Sequence, residues 1–528
     1  MSAISRRQGL TLAMSTGLTA AGRGVRAQQS RNVMVGGFDV GPGGGQGNFN
    51  PLATGGGFQS FNLYYDTLVA YDVALETISG ALAASFSANA TATEHRFHLR
   101  PGVTWHDGAP FTAADVAFTV DLARDPQSGS VFGSRLSAIT NVAMPDPLTA
   151  VFTLDKPVAG LPDILTKMMV LPKHALEKFP RDGLDRNPWW STAPIGTGPF
   201  RFVRYETDQF VELKANPAYR NGRPKLEGII NRYFRNTAGA VAALRSGEIQ
   251  FSYVESDEAQ GFAGNPDFRT IEGDSWVLNY IGINHAAGIW GDVRVRRALV
   301  HALNRDGIVK SILKGAAEVA NAPYVARSVT PRDLDPYPYD PAKARALLAD
   351  AGWERINGSK PLPLLTYYNT PQASNILAAM QAMLAQVGVN VVPRAVDVAT
   401  YNGIVRAPQP DHGQFPLTYA GAQIGPEAGI ADINLNEKQI PPAGYNLMRI
   451  RMPELNAALD AGVAEADLSR RPARFQEVAR VFNRELPWAP MWVAKRYGIV
   501  SSKITGFVWT PAPGGGGYEQ HAERWAFS

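Results

Sequence analysis

Three histidines close together, His95, His98 and His106, are the first place where residue type and spacing could support chemistry. Imidazoles grouped in this way can hold a zinc ion. A strand over Glu94–Leu99 separates them, because period-two alternation puts His95 and His98 on opposite faces. The next acid, Asp107, belongs to an Asp107-Gly108 turn, so the three read as solvated histidines and no metal site is expected. The chain contains no GxSxG elbow, no HExxH and no GxxxxGK[ST]. The usual serine-hydrolase, zincin and P-loop chemistries therefore lack their residues. Carboxylate neighbours such as Asp257/Glu258 lie in polar stretches and read as solvated surface, with nothing that marks a glycosidase pair. The Gly-rich run GPGGGQGNFNPLATGGG at 41–57 follows a short strand, Val33–Val35, and reads as a loop.

The elements that would position any site are marked by caps and periodicity. In EHRFHLRPGVTWHDGAPFTAADVAF (94–118), Phe97 and Leu99 share one strand face and Arg96, His98 and Arg100 the other. Pro101-Gly102 breaks that strand, and Thr112 with Asp115 opens a helix as a capping box. A helix is expected over Phe61–Leu68. Another, through Ala242–Ser246, closes at Gly247 and leads into a strand. Asp292 caps a helix whose apolar stripe is Val295, Ala298, Leu299, Ala302 and Leu303. Asp340-Pro341 is an N-cap followed by proline at the first helical position, and that helix buries Ala344, Leu347, Leu348 and Ala351 before stopping at Gly352. Ala512–Gly517 reads as a Pro/Gly loop. No internal repeat is visible.

At 528 residues the chain exceeds a single core, and 45% hydrophobic with 19% charged residues is ordinary for a globular protein. The net charge of +4 does not indicate a nucleic-acid partner. Residues 1–27 hold Arg6, Arg7, Arg23 and Arg26 and no acid, and removing those four from 51 basic residues leaves 47 against 47 acidic. That same segment reads as an export signal: Arg6-Arg7, an apolar run from Leu10 to Ala21, and small residues before Gln28. It resembles a twin-arginine signal, although Gly9 stands where that motif usually has an aromatic residue. Cysteine is absent, so disulfides, thiolate chemistry and a lipid-anchored N-terminal Cys are excluded. No later apolar run is long enough to span a membrane.

Four landmarks in register resemble one family. They are the 94–118 segment, TAPIGTGPFRF (192–202), NYIGINHAAGIWGDVRVRRALVHALNRDGIV (279–309) and YDPAKARALLADAGW (339–353). Together with an early Asn50-Pro51 turn they are similar to the family 5 extracellular solute-binding proteins, the peptide- and nickel-type receptors of ABC importers.

The resemblance implies an α/β, two-lobe periplasmic-binding-protein fold of the class II type, with an extra subdomain inserted in lobe one. Lobe one would comprise 28–74, 192–275 and 500–528, the insert 75–191, and lobe two 276–499. Gly196-Thr197-Gly198 would form the interlobe connection. The implied ligand-binding residues are Gly57 and Phe58 after the Asn-Pro turn, Tyr280, Tyr419, Gln423, Trp492 and Tyr497. Peptide-binding relatives carry an Asp that meets the peptide's α-ammonium; counting from Tyr419, Ala422 and Gln423 occupy that place, so either Glu427 or Asp432 substitutes or the ligand lacks a free α-amine.

The expected function is capture of an oligopeptide or related solute in the periplasm and delivery to ABC permease subunits. The receptor would be monomeric, not lipid-anchored, without cofactor or catalysis, and have no nucleic-acid partner. Alternatives are a receptor for an oligosaccharide, opine or metal chelate, an exported hydrolase, or a chaperone-like periplasmic protein.

Overall fold

The computed structural model describes residues 32–39, 49–52, 61–133, 135–407, 415–425, 428–442, 444–467, 469–509 and 519–528. The export signal, Gly57, Phe58, Glu427 and the Ala512–Gly517 loop lie outside the described residues, as does the side chain of Gln423.

Among the described residues, one mixed sheet of eleven strands runs through the molecule. Its lobe-one part is built on Val33–Asp39, which lies parallel to Gly228–Phe234 and Phe251–Val254. Its lobe-two part is built on Leu362–Thr366, parallel to both Val391–Ala395 and Leu417–Gln423. Two long strands, Phe268–Ile283 and Trp488–Ser501, pair antiparallel and belong to both parts. Apolar side chains collect on both faces of each part, which is why these strands read as apolar runs and not as alternating ones. The two-lobe α/β reading holds, and the connection between the lobes is this strand pair.

Gly196–Gly198 does not join the two lobes. It returns the chain from the insert and lies against the backbone of Tyr64, where a Cβ on Gly196 would stand 1.7 Å from the Tyr64 carbonyl oxygen. His106 pins the loop: its Nε2 donates to Gly198 O at 3.0 Å, and Gly196 N–H donates to its Nδ1 at 3.2 Å. His106 is therefore a buried structural residue, not a solvated one.

The insert centres on a four-stranded antiparallel sheet in the order Ala83–Ala88, Glu94–Leu99, Thr149–Leu154, Ile139–Asp146. The expected capping box is present, with Thr112 N–H donating to the Asp115 carboxylate at 2.9 Å. His95 departs from expectation. It shares the Phe97–Leu99 face, is 1% exposed, and burial lowers its pKa.

The capped helices appear where the residues place them. Asp292 accepts from Arg294 N–H and Asp340 from Lys343 N–H, each at 2.8 Å. The stripe Val295, Ala298, Leu299, Ala302 and Leu303 is buried, as are Ala344, Leu348 and Ala351, with Leu347 half-buried. Gly247 and Gly352 take the left-handed φ values, 75° and 72°, that glycine tolerates. The helix expected over Phe61–Leu68 is one turn, Phe61–Tyr64, because Thr67 bridges to Met169 and Val69–Tyr71 becomes a strand.

Candidate functional site

The site is organised by the lobe junction. In the strand Phe268–Ile283 the pairing with Trp488–Ser501 slips between Asp274 and Leu278. Within that bulge Trp276 has φ 53°. A tryptophan in this region costs on the order of 1–3 kcal/mol and persists where its surroundings hold it. Part of that hold is local, since Trp276 O accepts from Ile424 N–H at 3.0 Å. On the lobe-one side of the bulge, Lys495 Nζ meets Glu272 at 2.6 Å. Asp274, half-buried there, has its pKa raised by burial and by nearby Glu318.

A cavity of about 630 Å³ lies beside Gly425, one residue beyond the Ile424 that bonds Trp276. Lobe one and the insert supply most of its wall, and Gly425 contributes from lobe two. Two opposite charges are set into the wall. Arg220 Nη2 donates to Asp66 Oδ1 at 3.0 Å, and Thr197 Oγ1 donates to Asp66 Oδ2 at 3.2 Å. Burial opposes the charge on Arg220, but Asp66 outweighs it and the pKa rises. Asp72, also on the wall, accepts from Glu76 N–H at 2.9 Å. Glu523 is buried beside His521 and Arg524.

On the lobe-two side a run of aromatic rings links two buried clusters through the half-buried Tyr368 and Tyr367. Trp492 and Tyr419 have centroids 6.2 Å apart, Tyr419 and Tyr368 5.2 Å, Tyr368 and Tyr367 4.7 Å, and Tyr367 and Tyr401 4.9 Å. Tyr367 and Tyr368 follow the carboxyl end of the parallel strand Leu362–Thr366, where ligands of open α/β sheets bind. Their hydroxyls are engaged: Gly421 N–H donates to Tyr367 Oη at 3.0 Å, and Tyr368 Oη donates to Asn279 Oδ1 at 3.1 Å. A Cβ on Gly421 would come within 2.6 Å of Tyr368 Oη, so glycine permits this approach. The strand Leu417–Gln423, which carries Gly421, ends two residues before Gly425 on the cavity wall.

The residues singled out by resemblance are placed as follows. Tyr419 and Trp492 come together, but their rings are buried, at 2% and 1% exposure. Tyr280 is also buried, stacked on Trp488 at 4.2 Å in the lobe-two core, away from the cleft it was expected to face. Tyr497 is half-buried on the lobe-one side, paired across from Val254 and Glu272. The backbone of Gln423 pairs with Val277. Ala422 faces the core behind the sheet with Leu278 and Tyr280, so it is not a cleft position. Asp432 accepts from Asn436 Nδ2 at 2.7 Å, and burial raises its pKa. Asp66, Arg220, Asn279, Tyr367 and Tyr368 were not foreseen. For the two tyrosines a signal existed, their position at the end of a short apolar strand between helices. Among the described residues no three His, Asp or Glu side chains converge to hold a metal ion, and no helix is long and apolar enough to cross a membrane.

The sequence model of the bacterial extracellular solute-binding proteins, family 5 Middle, matches residues 77–426. A Brucella ovis protein carrying the name of an ABC transporter peptide-binding protein is 55% identical over 494 residues, 94% of each chain. Among solved structures, the Bacillus subtilis oligopeptide-binding protein AppA in complex with a nonapeptide aligns with TM-score 0.78 and 22% identity, covering 94% of this chain and 99% of its own. The Campylobacter jejuni protein NikZ in complex with Ni(L-His) aligns with TM-score 0.79 and 22% identity over the same shares. The extended match, with a sheet continuous through both lobes and a cavity at their junction, places this chain in the family 5 bacterial extracellular solute-binding proteins.

Proposed function

We propose that this protein captures oligopeptides in the periplasm and hands them to the permease of an ABC importer. The observation that carries the reading is the cavity of about 630 Å³ where insert, lobe one and lobe two meet. Its size falls within the roughly 300–1,000 Å³ of small-ligand sites. The close relationship to the Brucella ovis protein supports a peptide as the solute. Lobe one is read as 28–74, 192–275 and about 494–528, with 75–191 inserted and lobe two between, since Tyr497 and Ile499 pack in the lobe-one core. The protein acts as an exported monomer without catalysis, and Arg6-Arg7 directs it through the twin-arginine route.

Of the cavity acids, Asp66 and Glu523 are ion-paired with Arg220 and Arg524, and Asp72 accepts a backbone N–H. This favours a peptide held through its backbone or blocked at its N-terminus. The same observation supports a second reading, an amine-free opine or chelate.

Mass spectrometry of molecules released from protein purified without unfolding tests both. Peptide masses support the first reading, and opine, sugar or chelate masses the second. An empty release fraction, with no thermal stabilisation by a synthetic oligopeptide pool, contradicts both.

A further inference from the structure

We infer that Asp163 and Arg471 form a latch across the cleft that sets the balance between closed and open lobes. The inference rests on the receptor reading only in assuming that the lobes move. Arg471 is the first residue of the lobe-two helix Arg471–Glu485, and Asp163 lies in the insert helix Leu161–Leu165. The two are 308 residues apart, belong to different cores, and meet with Arg471 Nη1 3.1 Å from Asp163 Oδ2.

Arg471 is not satisfied within its own lobe. Its guanidinium lies 5.3 Å from the Phe475 ring, and its Nε is buried without an acceptor. Arg305, also in lobe two, shows the contrast, because carbonyls of its own lobe at Ala320, Pro336 and Pro490 fill its donors. Arg471 therefore gains its charged partner only when the insert closes upon it. Both side chains are then 13–14% exposed, where screening by water is weaker than at a surface pair. The other ion pair between the lobes among the described residues, Lys314–Asp257, is more than half exposed on both sides and belongs to the class of pairs that contribute little.

The insert is shaped to receive this arginine. A Cβ at Gly160 would stand 2.3 Å from Arg471 Nη2, so glycine leaves the guanidinium its seat. The latch also touches the cavity. Tyr71 lines the cavity wall, and its hydroxyl donates to Asp163 Oδ1. A solute against Tyr71 thus adjoins the group that holds the lobes together.

The chain has no cysteine, so a spin-label pair can be introduced cleanly at Val131→Cys on the insert and Val398→Cys on lobe two, both exposed. Pulsed electron–electron resonance then reads the interlobe distance without any added solute. Arg471→Gln and Asp163→Asn each raise the long-distance fraction about fivefold or more. Combining them adds nothing beyond either alone, because they remove one interaction. Gly160→Ala, which keeps both charges, shifts the distribution in the same direction. Unchanged distances in the single variants overturn the latch, and so do effects that add in the double variant. Because no solute is used, failure here leaves the receptor reading standing, and an empty receptor leaves the distances to decide the latch alone.

Discussion

Leu278 and Ala422 sit opposite one another in neighbouring antiparallel strands, and both point into the core behind the lobe-two sheet. Their partners on the other face, Asn279 and Gly421, meet the tyrosine hydroxyls. One residue of register thus separates a core position from a rim position.

An Ala422→Asp variant buries an unpaired carboxylate and does not create an amine anchor. Stability should fall by about 3 kcal/mol at neutral pH, measured by urea denaturation. Retained stability together with a new preference for free-amine over N-acetylated peptides would show that residue 422 faces the cleft.

The aromatic run should divide into buried structural rings and half-buried binding ones. Tyr419→Ala and Trp492→Ala leave cavities in the core and cost about 3–5 kcal/mol of stability. Tyr367→Phe and Tyr368→Phe each remove one hydroxyl and cost about 1 kcal/mol. Their larger effect should be on affinity for the co-purified solute, which calorimetry measures. Normal affinity in both Phe variants would remove these tyrosines from the binding surface.

Two histidines, buried His106 and half-buried His285, make the fold acid-sensitive. Burial lowers His106 and His285 from an ordinary value near 6.5 to about 4, against hydrogen bonds to Gly198 O and Pro487 O that act the other way. The unfolded chain takes up these protons at higher pH than the folded one. Stability is therefore fully present above about pH 6.5 and is lost as the pH falls toward 4, by up to about 3 kcal/mol for each histidine. Urea midpoints at pH 7.5 and 4.5 should show the loss, and His106→Gln should reduce it. The same pH slope in His106→Gln as in wild type would exclude His106 as a source.

Export should depend on Arg6 and Arg7. Replacing both by lysine is expected to leave the precursor in the cytoplasm, scored by cell fractionation. Normal maturation of that variant excludes the twin-arginine route.

Local order was legible where a single element carries its own signals. Asp292 and Asp340 with their apolar stripes, Gly247 and Gly352 as stops, and the Thr112–Asp115 box all formed as read. The orientation of the aromatics was not legible. Tyr280, Tyr419 and Trp492 lie on strands covered on both faces, so no polar alternation marks which side meets the cleft. His95 failed differently: its alternation with Phe97 already placed it on the inner face. The interlobe strand pair and the Asp163–Arg471 contact depend on residues more than 200 positions apart, for which one chain's periodicity holds no signal.

Small-angle scattering on solute-stripped protein tests most directly whether this is a closing receptor. Adding back the molecules released from the native protein should reduce the radius of gyration. Stability should rise with concentration, by about 2.7 kcal/mol at a hundredfold excess over Kd. Stabilisation with an unchanged radius of gyration would contradict closure of the two lobes around the solute.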